Sequence, residues 1–360
     1  MEQPLLLVVA FVVILLGAEL FTNGIEWVGH HLDLAEGAVG SVLAAVGTAL
    51  PETMIPLVAI LLGGNAADAS DTADGIGVGA ILGAPFMLAT LAMFVTGVAV
   101  LLRARRRGGD DTMPVDTRVI GKDVTWFLGA YALAVGTAFL PPGSEVIRLG
   151  VAVLLLVIYA IYVRAHFAAE RAESESEHEL QPLRMHRLDR PGRRVDPTRP
   201  RLRIVWVQVI VALTLIIGGA VVFVDAVDSI ASGLGVAPVI LALVIAPIAT
   251  ELPEKLNSVI WIRAGKDTLA MGNITGAMVF QSCIPTVIGL VFAADAWHID
   301  PSDPESLLAF LSAGIAFLAT AAIFLPMWRR ARLRGRGLLM GGAFYLGYLM
   351  VVVALAGSTA

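Results

Sequence analysis

Long runs of apolar residues, separated by short polar stretches, divide the chain into ten segments. Each run holds the roughly 20 residues that an α-helix needs to cross the hydrocarbon core of a bilayer. The predicted membrane-spanning helices are 4–25, 37–63, 75–101, 123–141, 146–166, 204–224, 236–262, 268–294, 306–327 and 337–357. Composition agrees, because 57% of the residues are hydrophobic and only 15% are charged. The pattern therefore predicts an all-α polytopic membrane protein with ten transmembrane helices.

A five-residue motif with polar residues, called the phrase below, occurs twice inside these apolar runs. It reads Thr48-Ala49-Leu50-Pro51-Glu52 in the second segment and Thr250-Glu251-Leu252-Pro253-Glu254 in the seventh. The offset of 202 positions also relates Gly17 to Gly219 and Phe21 to Phe223. We therefore predict two five-helix repeats, residues 1–167 and 204–360, joined by a linker at 168–203. Because five is odd, the second repeat inserts upside down relative to the first, as in many secondary transporters.

Basic residues gather in the loops after the third, fifth and ninth segments. They are Arg103, Arg105, Arg106, Arg107, Arg118, Lys122, Arg329, Arg330, Arg332, Arg334, Arg336 and ten arginines between positions 164 and 203. Since cytoplasmic loops carry the excess of lysine and arginine, the linker is expected to be cytoplasmic and both termini external. The expected location is the inner membrane of a prokaryote. The linker itself runs from acidic to basic and is predicted to be disordered or loosely helical, with His178 and His186 in solvent.

Each copy of the repeated phrase places a proline beside a carboxylate at membrane depth. Proline lacks the N–H that would bond to the carbonyl four residues earlier, so Pro51 frees the Gly47 carbonyl and Pro253 frees that of Ala249. An ionised carboxylate inside a bilayer costs several kcal/mol, which favours a functional role. The expected cation ligands are the carboxylates of Glu52 and Glu254, the hydroxyls of Thr48 and Thr250, and the two freed carbonyls.

The expected ligand set at the bilayer midplane consists of oxygens alone. Calcium accepts six to eight oxygen ligands in flexible geometry, and the absence of His or Cys beside either phrase argues against zinc and copper. Glycines spaced every four residues, at Gly79 and Gly83 and again at Gly272 and Gly276, are typical of close helix packing. Such packing is expected to bring Asn273, Thr275 and Gln281 beside the two phrases, where the amides of Asn273 and Gln281 are further candidate ligands of the cation.

Two charged residues accompany the second phrase only. Glu251 adds a third carboxylate, which is a further candidate ligand of the cation, and Lys255 follows four positions later. At that spacing they can pair on one helix face, although Pro253 interrupts the helix between them. A buried lysine can also exchange protons, so a structural pair and a role in proton coupling for Glu251 and Lys255 both remain open.

These motifs resemble those of the cation/calcium exchanger superfamily. The superfamily motif Gly-Thr-Ser-X-Pro-Glu is similar to residues 47–52 and 249–254, and its motif Gly-Asn-X-X-Gly-Ser-Asn is similar to residues 79–85 and 272–278. The resemblance implies a central site formed by the second, third, seventh and eighth helices, with alternating-access antiport of calcium against sodium or protons. It also implies that Glu52 and Glu254 bind calcium and that Thr48 and Thr250 are further ligands.

Several small polar residues of the superfamily motifs are missing from this chain. Ala49, Ala80, Ala84 and Leu88 stand where side-chain oxygens are expected to complete sodium sites. A proton needs only a carboxylate that titrates near the working pH, and three neighbouring carboxylates would link cation release to proton uptake. We therefore expect proton coupling, with sodium as the alternative.

Other functions remain alternatives at this point. The substrate is expected to be Ca²⁺, with Mg²⁺, Mn²⁺ or K⁺ as alternatives within the same class. A passive cation channel is the alternative from another class, although channel filters usually combine several subunits around a rotational axis. No recognised catalytic motif of an intramembrane enzyme occurs in the sequence. The expected partners are inorganic cations and the lipid bilayer, with no cofactor, no nucleic acid and no obligatory protein partner.

Overall fold

The computed structural model describes residues 2–31, 44–62, 67–106, 109–141, 143–170, 182–186, 200–234, 242–243, 251–265, 267–330 and 332–356. Long helices dominate these ranges. The α-helices are α1 (Glu2–His31), α2 (Ala44–Leu62), α3 (Ala67–Met87), α4 (Met93–Arg106), α5 (Thr117–Gly136), α6 (Glu145–Glu170), α7 (Leu202–Leu234), α8 (Leu252–Ala264), α9 (Asp267–Phe292), α10 (Pro304–Arg330), the four-residue α11 (Gly335–Leu338) and α12 (Met340–Ala356). The short strands β1 (Thr112–Met113) and β2 (Leu333–Arg334) pair antiparallel, which the all-α prediction did not include.

Seven stretches of the described chain are long and apolar enough to cross a membrane. They are Gln3–Ile25, Asp74–Arg105, Glu145–Ala165, Leu202–Gly233, Ala270–Phe292, Pro304–Arg329 and Gly335–Leu355. A shorter apolar helical stretch, Glu52–Leu62, lies in the predicted second span. The predicted fourth and seventh spans correspond to α5 and to α8, which are helical but are not among the seven. The membrane-protein class is confirmed, while the count of ten helices stays a prediction.

Helix α9 occupies the middle of the bundle. It packs against α2, α3, α5, α6 and α8, so it contacts all the helices on which the candidate ligands were predicted. Its side chains Met271, Ile274 and Cys283 are fully buried in the largest apolar cluster of the protein. An aromatic group on α5 and α10 extends this cluster, with the rings of Tyr131 and Phe317 5.1 Å apart. The core therefore holds α9 fixed between both predicted halves.

Helix α1 is paired along its length with α7. A Cβ atom at Gly17 or at Gly219 would collide with the partner helix, so glycine allows the two backbones to approach closely. Helix α1 also continues to His31, beyond the predicted end at residue 25. Polar residues such as Asn23 end the apolar run of the sequence there without ending the helix, which explains the difference.

Prolines affect three of these helices differently. Helix α2 continues through Pro51, whereas Pro253 lies in the first turn of α8, where its missing N–H interrupts no helical bond. The prediction that Pro253 lies inside a helix is therefore wrong, and the missing N–H of Pro253 is not a reason for the Ala249 carbonyl to be free; Ala249 itself lies outside the described residues. Within the third predicted span, Pro85 is followed by a π-helical segment at Leu88–Ala92, which joins α3 to α4. Such π segments are frequently found at functional sites.

Residues 182–186 of the linker are folded against α1 and α7. Leu183 is fully buried beside Trp27 and Val205, and the backbone N–H of Met185 donates to Gln208 Oε1 at 2.8 Å. The ring of His186 is half-buried and lies within hydrogen-bonding distance of the Leu183 carbonyl. The prediction of a wholly disordered or loosely helical linker is therefore wrong for these five residues, because one apolar side chain finds a pocket between two helices. His178 lies outside the described residues.

The strands β1 and β2 join two of the arginine-rich loops. Thr112 pairs with Arg334, and the carboxylate of Asp111 accepts a hydrogen bond from the Arg336 backbone N–H at 3.1 Å. These loops follow the third and ninth predicted spans. They therefore lie on the same side of the bundle, as the distribution of arginine requires if that side is cytoplasmic.

Candidate functional site

Of the paired glutamates Glu52 and Glu254, Glu52 is the one whose side chain the structure describes. It lies on α2 and is only 5% exposed, among apolar neighbours such as Ile55 and Val58 of the same helix. The backbone of Gly47 and Thr48 belongs to the first turns of α2, and their side chains lie outside the described residues. A carboxylate buried at this depth requires compensation by a cation, by hydrogen bonds or by protonation.

Glu251 and Lys255 form a buried ion pair at the beginning of α8. Lys255 Nζ lies 3.2 Å from Glu251 Oε2, and both side chains are almost completely excluded from solvent. Glu251 is the residue that precedes the helix, and its carbonyl accepts a hydrogen bond from the Lys255 N–H at 3.1 Å. The pairing that the i, i+4 spacing suggested is present, because Pro253 lies in the first turn and does not separate the two side chains.

The remaining residues of the second phrase are only partly described. Glu254 belongs to the first turn of α8, and its side chain lies outside the described residues, as do Ala249 and Thr250 entirely. Where the structure describes side chains, no group of three or more His, Cys, Asp or Glu residues could hold a metal ion. The side chain of Glu254 is not among those described, so the joint site of Glu52 and Glu254 remains a prediction.

Helix α9 supplies the two predicted amide ligands. Asn273 is half-buried and Gln281 is completely buried. Neither the oxygen nor the nitrogen of the Gln281 amide has a hydrogen-bond partner among the described residues. A buried polar group of this kind usually has a hydrogen-bond partner. A buried amide without a hydrogen-bond partner among the described residues is therefore consistent with a position that binds a ligand.

Three of the four positions at which sodium ligands were expected to be missing are apolar and buried, while the side chain of Ala49 lies outside the described residues. Ala80 and Ala84 are 6% and 5% exposed, and Leu88 at the start of the π segment is completely buried. All three lie on the continuous element that packs against α9. This part of the bundle therefore adds no side-chain oxygen at those three positions.

Helices α8 and α9 are held to α4 by polar contacts at one end. Arg103 donates to the Ile262 carbonyl at 2.6 Å and to Asp267 Oδ2 at 2.7 Å, and Asp267 has no exposed side-chain surface. The Ser258 hydroxyl donates to the Ala270 carbonyl at 3.1 Å. These contacts fix the ends of the helices from which the candidate ligands project.

Asp123 is a buried carboxylate that the sequence analysis did not select. It was assigned to the boundary of the predicted fourth span, but α5 begins six residues earlier, at Thr117. The signal was the helix-capping residue Asp116, whose carboxylate accepts a hydrogen bond from the Arg118 N–H at 2.8 Å. With the cap recognised, Asp123 falls almost two turns inside the helix, where it is completely buried.

A family model covers most of the chain. The model of the sodium/calcium exchanger protein family matches residues 3–167 and 204–356. The chain belongs to this family. The match confirms the resemblance seen in the repeated motifs, and it places the chain among membrane proteins of ion exchange rather than in a class of enzymes.

Two curated relatives are similar over most of their length. The candidate antiporter CaxA of Alkalimonas amylolytica is 25% identical over 331 residues, which covers 91% of this chain and 90% of the relative. The inner membrane protein YrbG of Escherichia coli is 25% identical over 319 residues, which covers 87% of this chain and 85% of the relative. The similarity of this integral membrane protein to the two relatives therefore extends over most of the chain.

Solved structures of exchangers share the fold. The H⁺/Ca²⁺ exchanger CAX superposes with a TM-score of 0.66 at 16% identity, covering 98% of this chain and 85% of the other. The sodium–calcium exchanger NCX_Mj superposes with a TM-score of 0.56 at 17% identity, covering 97% of this chain and 98% of the other. At these identities the likeness concerns the fold alone.

Proposed function

We propose that this chain is a secondary antiporter that moves a divalent cation, Ca²⁺ first of all, across the membrane in exchange for protons. The observation that carries the proposal is the buried carboxylate of Glu52 inside an apolar helix of a protein of the exchanger family. Buried intramembrane carboxylates mark ion pathways because their charge must be balanced.

The proposed architecture is ten helices in two inverted repeats, residues 1–167 and 204–360, with the linker 168–203 on the cytoplasmic side and both termini outside. Support comes from the matching close approaches at Gly17 and Gly219, which are related by the same 202-residue offset as the two phrases. The contact between two arginine-rich loops through β1 and β2 supports the proposed orientation.

The proposed cation site lies at the midplane. Its first ligands are the carboxylates of Glu52 and Glu254. Further oxygens come from Thr48, Thr250, Glu251, Asn273, Gln281 and the carbonyls of Gly47 and Ala249. The side-chain amide of Gln281 supports this assignment, since its oxygen has no hydrogen-bond partner within the described residues. An all-oxygen site of this size suits a calcium ion, with Mg²⁺, Mn²⁺ and K⁺ as the alternatives.

Protons are the proposed counter-ion because the third predicted span has no side-chain oxygen at three positions where sodium ligands were expected. The side chains at positions 80, 84 and 88 are apolar and buried. One fold neighbour is named as an H⁺/Ca²⁺ exchanger and another as a sodium–calcium exchanger, so both kinds of coupling occur on this fold. Glu251 and Lys255 are the proposed residues of proton coupling beside the site.

Calcium uptake into sealed vesicles tests the proposal. The purified protein is reconstituted, and uptake is measured under an imposed pH gradient without sodium and, separately, under a sodium gradient without a pH gradient. We expect saturable uptake under the pH gradient, abolished by a protonophore. Uptake that appears only with sodium would show that sodium, and not the proton, is the counter-ion. Uptake that needs neither gradient and does not saturate would indicate a channel.

Substitutions of the paired glutamates identify the site in the same assay. Glu52→Gln and Glu254→Gln keep the shape of the side chains but remove their charge, and each is expected to reduce uptake by at least tenfold. The matched control is Glu145→Gln, since Glu145 is exposed in the first turn of α6. Normal transport by Glu52→Gln would refute the assignment of the site.

A further inference from the structure

Asp123 connects three helices through its carboxylate. On one side the Thr275 hydroxyl of α9 donates to Asp123 Oδ2 at 2.6 Å. On the other side the Tyr162 hydroxyl of α6 donates to Asp123 Oδ1 at 3.1 Å. Asp123 and Thr275 are completely buried and Tyr162 is 7% exposed, so this carboxylate is shielded from bulk water.

Two opposing effects act on the protonation of this carboxyl. Burial in an apolar region disfavours the ionised form, whereas hydroxyl groups that donate hydrogen bonds favour it. Among the described residues, the titratable hydroxyl of Tyr162 faces the carboxyl, and Tyr159 on α6 and Cys283 on α9 lie close to Tyr162. Helix α10 presents Phe317 and Trp328 to α5, neither of which titrates.

The hydrogen bonds around Asp123 can satisfy both protonation states. The Thr275 hydroxyl has one hydrogen but two acceptors within reach, Asp123 Oδ2 at 2.6 Å and the Met271 carbonyl at 3.1 Å. When Asp123 is ionised, Thr275 donates to it. When a proton binds to Oδ2, Asp123 donates to Thr275, and the threonine hydrogen turns to the Met271 carbonyl. Within this group of hydrogen bonds, proton binding therefore requires the rotation of one hydroxyl, and no hydrogen bond is lost.

The position of Asp123 relates it to the candidate cation site. It lies six residues after the start of α5, about 9 Å along a helix that rises 1.5 Å per residue. Thr275 belongs to α9, two residues after Asn273 and six before Gln281. A change of charge at Asp123 therefore acts directly on the helix that carries both amides.

We propose that Asp123 is a proton-binding site of this protein, separate from the repeated Pro-Glu phrases, and that Thr275 transmits its protonation to α9. This inference rests on the proposed antiport, since it names a carboxyl on which the exchanged proton resides. Tyr162 acts as a positioning residue that holds the carboxylate in place.

Infrared difference spectroscopy of the purified protein tests proton binding without any transport. The difference between acid and alkaline samples is expected to contain the carbonyl-stretch band of a protonated carboxyl. Asp123→Asn should remove this component, whereas Asp295→Asn, which changes an exposed carboxyl, should leave it in place. An unchanged difference spectrum in Asp123→Asn would overturn the proposal.

Variants of Thr275 test the transmission and cover the case in which Asp123→Asn does not fold. Thr275→Val removes the hydroxyl and should shift both the frequency and the pH midpoint of the band, while Thr275→Ser keeps the hydroxyl and should restore both. A band in Thr275→Val identical to that of the unmodified protein would contradict the inference.

Isotope exchange of calcium for calcium completes the test. It is measured at equal pH on both sides, over a series of pH values. In the unmodified protein, the rate of calcium exchange is expected to fall at least tenfold at the acidic end of the series. In Asp123→Asn, the rate is expected to fall by less than half of that factor. If the band depends on Asp123 but no calcium is exchanged at any pH, the proposed function fails while the proton site stands. If calcium exchange is normal and its pH profile is unchanged in Asp123→Asn, the proton site fails alone.

Discussion

Gly17 and Gly219 make equivalent close approaches on opposite helices. A Cβ atom at Gly17 would lie 2.8 Å from Ile216 Cγ1 and 3.1 Å from the Ala212 carbonyl oxygen. A Cβ atom at Gly219 would lie 2.7 Å from Ile14 Cγ1 and 3.2 Å from the Ala10 carbonyl oxygen. Each contact becomes the other when 202 is added to or subtracted from the residue numbers.

Larger side chains at either glycine are expected to destabilise the protein by similar amounts. Overpacking typically costs about 1–3 kcal/mol, so Gly17→Leu and Gly219→Leu should each lower the midpoint of thermal unfolding measured in detergent. Gly218→Leu is the matched control, because Gly218 is exposed and no atom lies within 4 Å of its Cβ position. A large loss at only one of the two close approaches would contradict their equivalence.

The buried pair of Glu251 and Lys255 should show strong non-additivity. Removing one partner leaves an uncompensated buried charge, which typically costs about 3–5 kcal/mol, whereas removing both costs much less. Lys255→Met and Glu251→Gln are therefore expected to be unstable singly and to recover stability when combined, as measured by thermal unfolding. Additive losses in the double variant would show that the two side chains do not depend on each other.

The same variants separate a structural role from proton coupling. If the pair also couples protons, the stable double variant should transport calcium with a weaker dependence on pH than the unmodified protein. A pH profile of unchanged shape in the double variant would limit the pair to a structural role.

Leu183 is expected to hold the linker against α1 and α7. Truncating a fully buried leucine typically costs about 2–5 kcal/mol, so Leu183→Ala should expose the linker to limited proteolysis in membranes. Arg184→Ala is the control, since its ion pair with Glu19 at 3.0 Å is exposed and such pairs contribute about 0–1 kcal/mol. Equal protection from the protease in both variants would argue against an anchor at Leu183.

Topology reporters test the proposed inversion of the repeats. Alkaline phosphatase fused after Ala360 should be active, and green fluorescent protein inserted after Glu177 should fluoresce, because the two positions are expected on opposite faces. An insertion at Ser302, in the loop before α10, should report the external face like the C-terminus. If positions 177 and 360 lay on one face, an odd number of spans between them would be excluded.

The sequence predicted the features that follow from periodic patterns and repeated motifs. Glu52 was selected because a carboxylate interrupts an apolar run, and the structure buries it accordingly. The i, i+4 spacing of Glu251 and Lys255 likewise predicted a contact that is present at 3.2 Å. Both predictions depend on residues that lie close together in the sequence, so a single chain segment contains the necessary information.

Other features depend on contacts between distant segments. Asp123 was missed because its partners Tyr162 and Thr275 belong to two other helices. The order of residues 182–186 was missed because a lone apolar Leu183 in a charged linker has no periodic pattern, and its pocket exists only when α1 and α7 are paired. Pro253 was placed inside a helix because an apolar run does not show where a helix begins.

The small ribbon of β1 and β2 gives the protein a surface that neither predicted half possesses alone. One strand, Thr112–Met113, comes from the first half and the other, Leu333–Arg334, from the second. The Gly335 N–H also donates to the Asp111 carbonyl at 2.9 Å, which extends the junction by one residue. An antibody fragment raised against this junction would therefore recognise a composite epitope. It would count correctly assembled molecules in a membrane and ignore chains whose halves had folded apart.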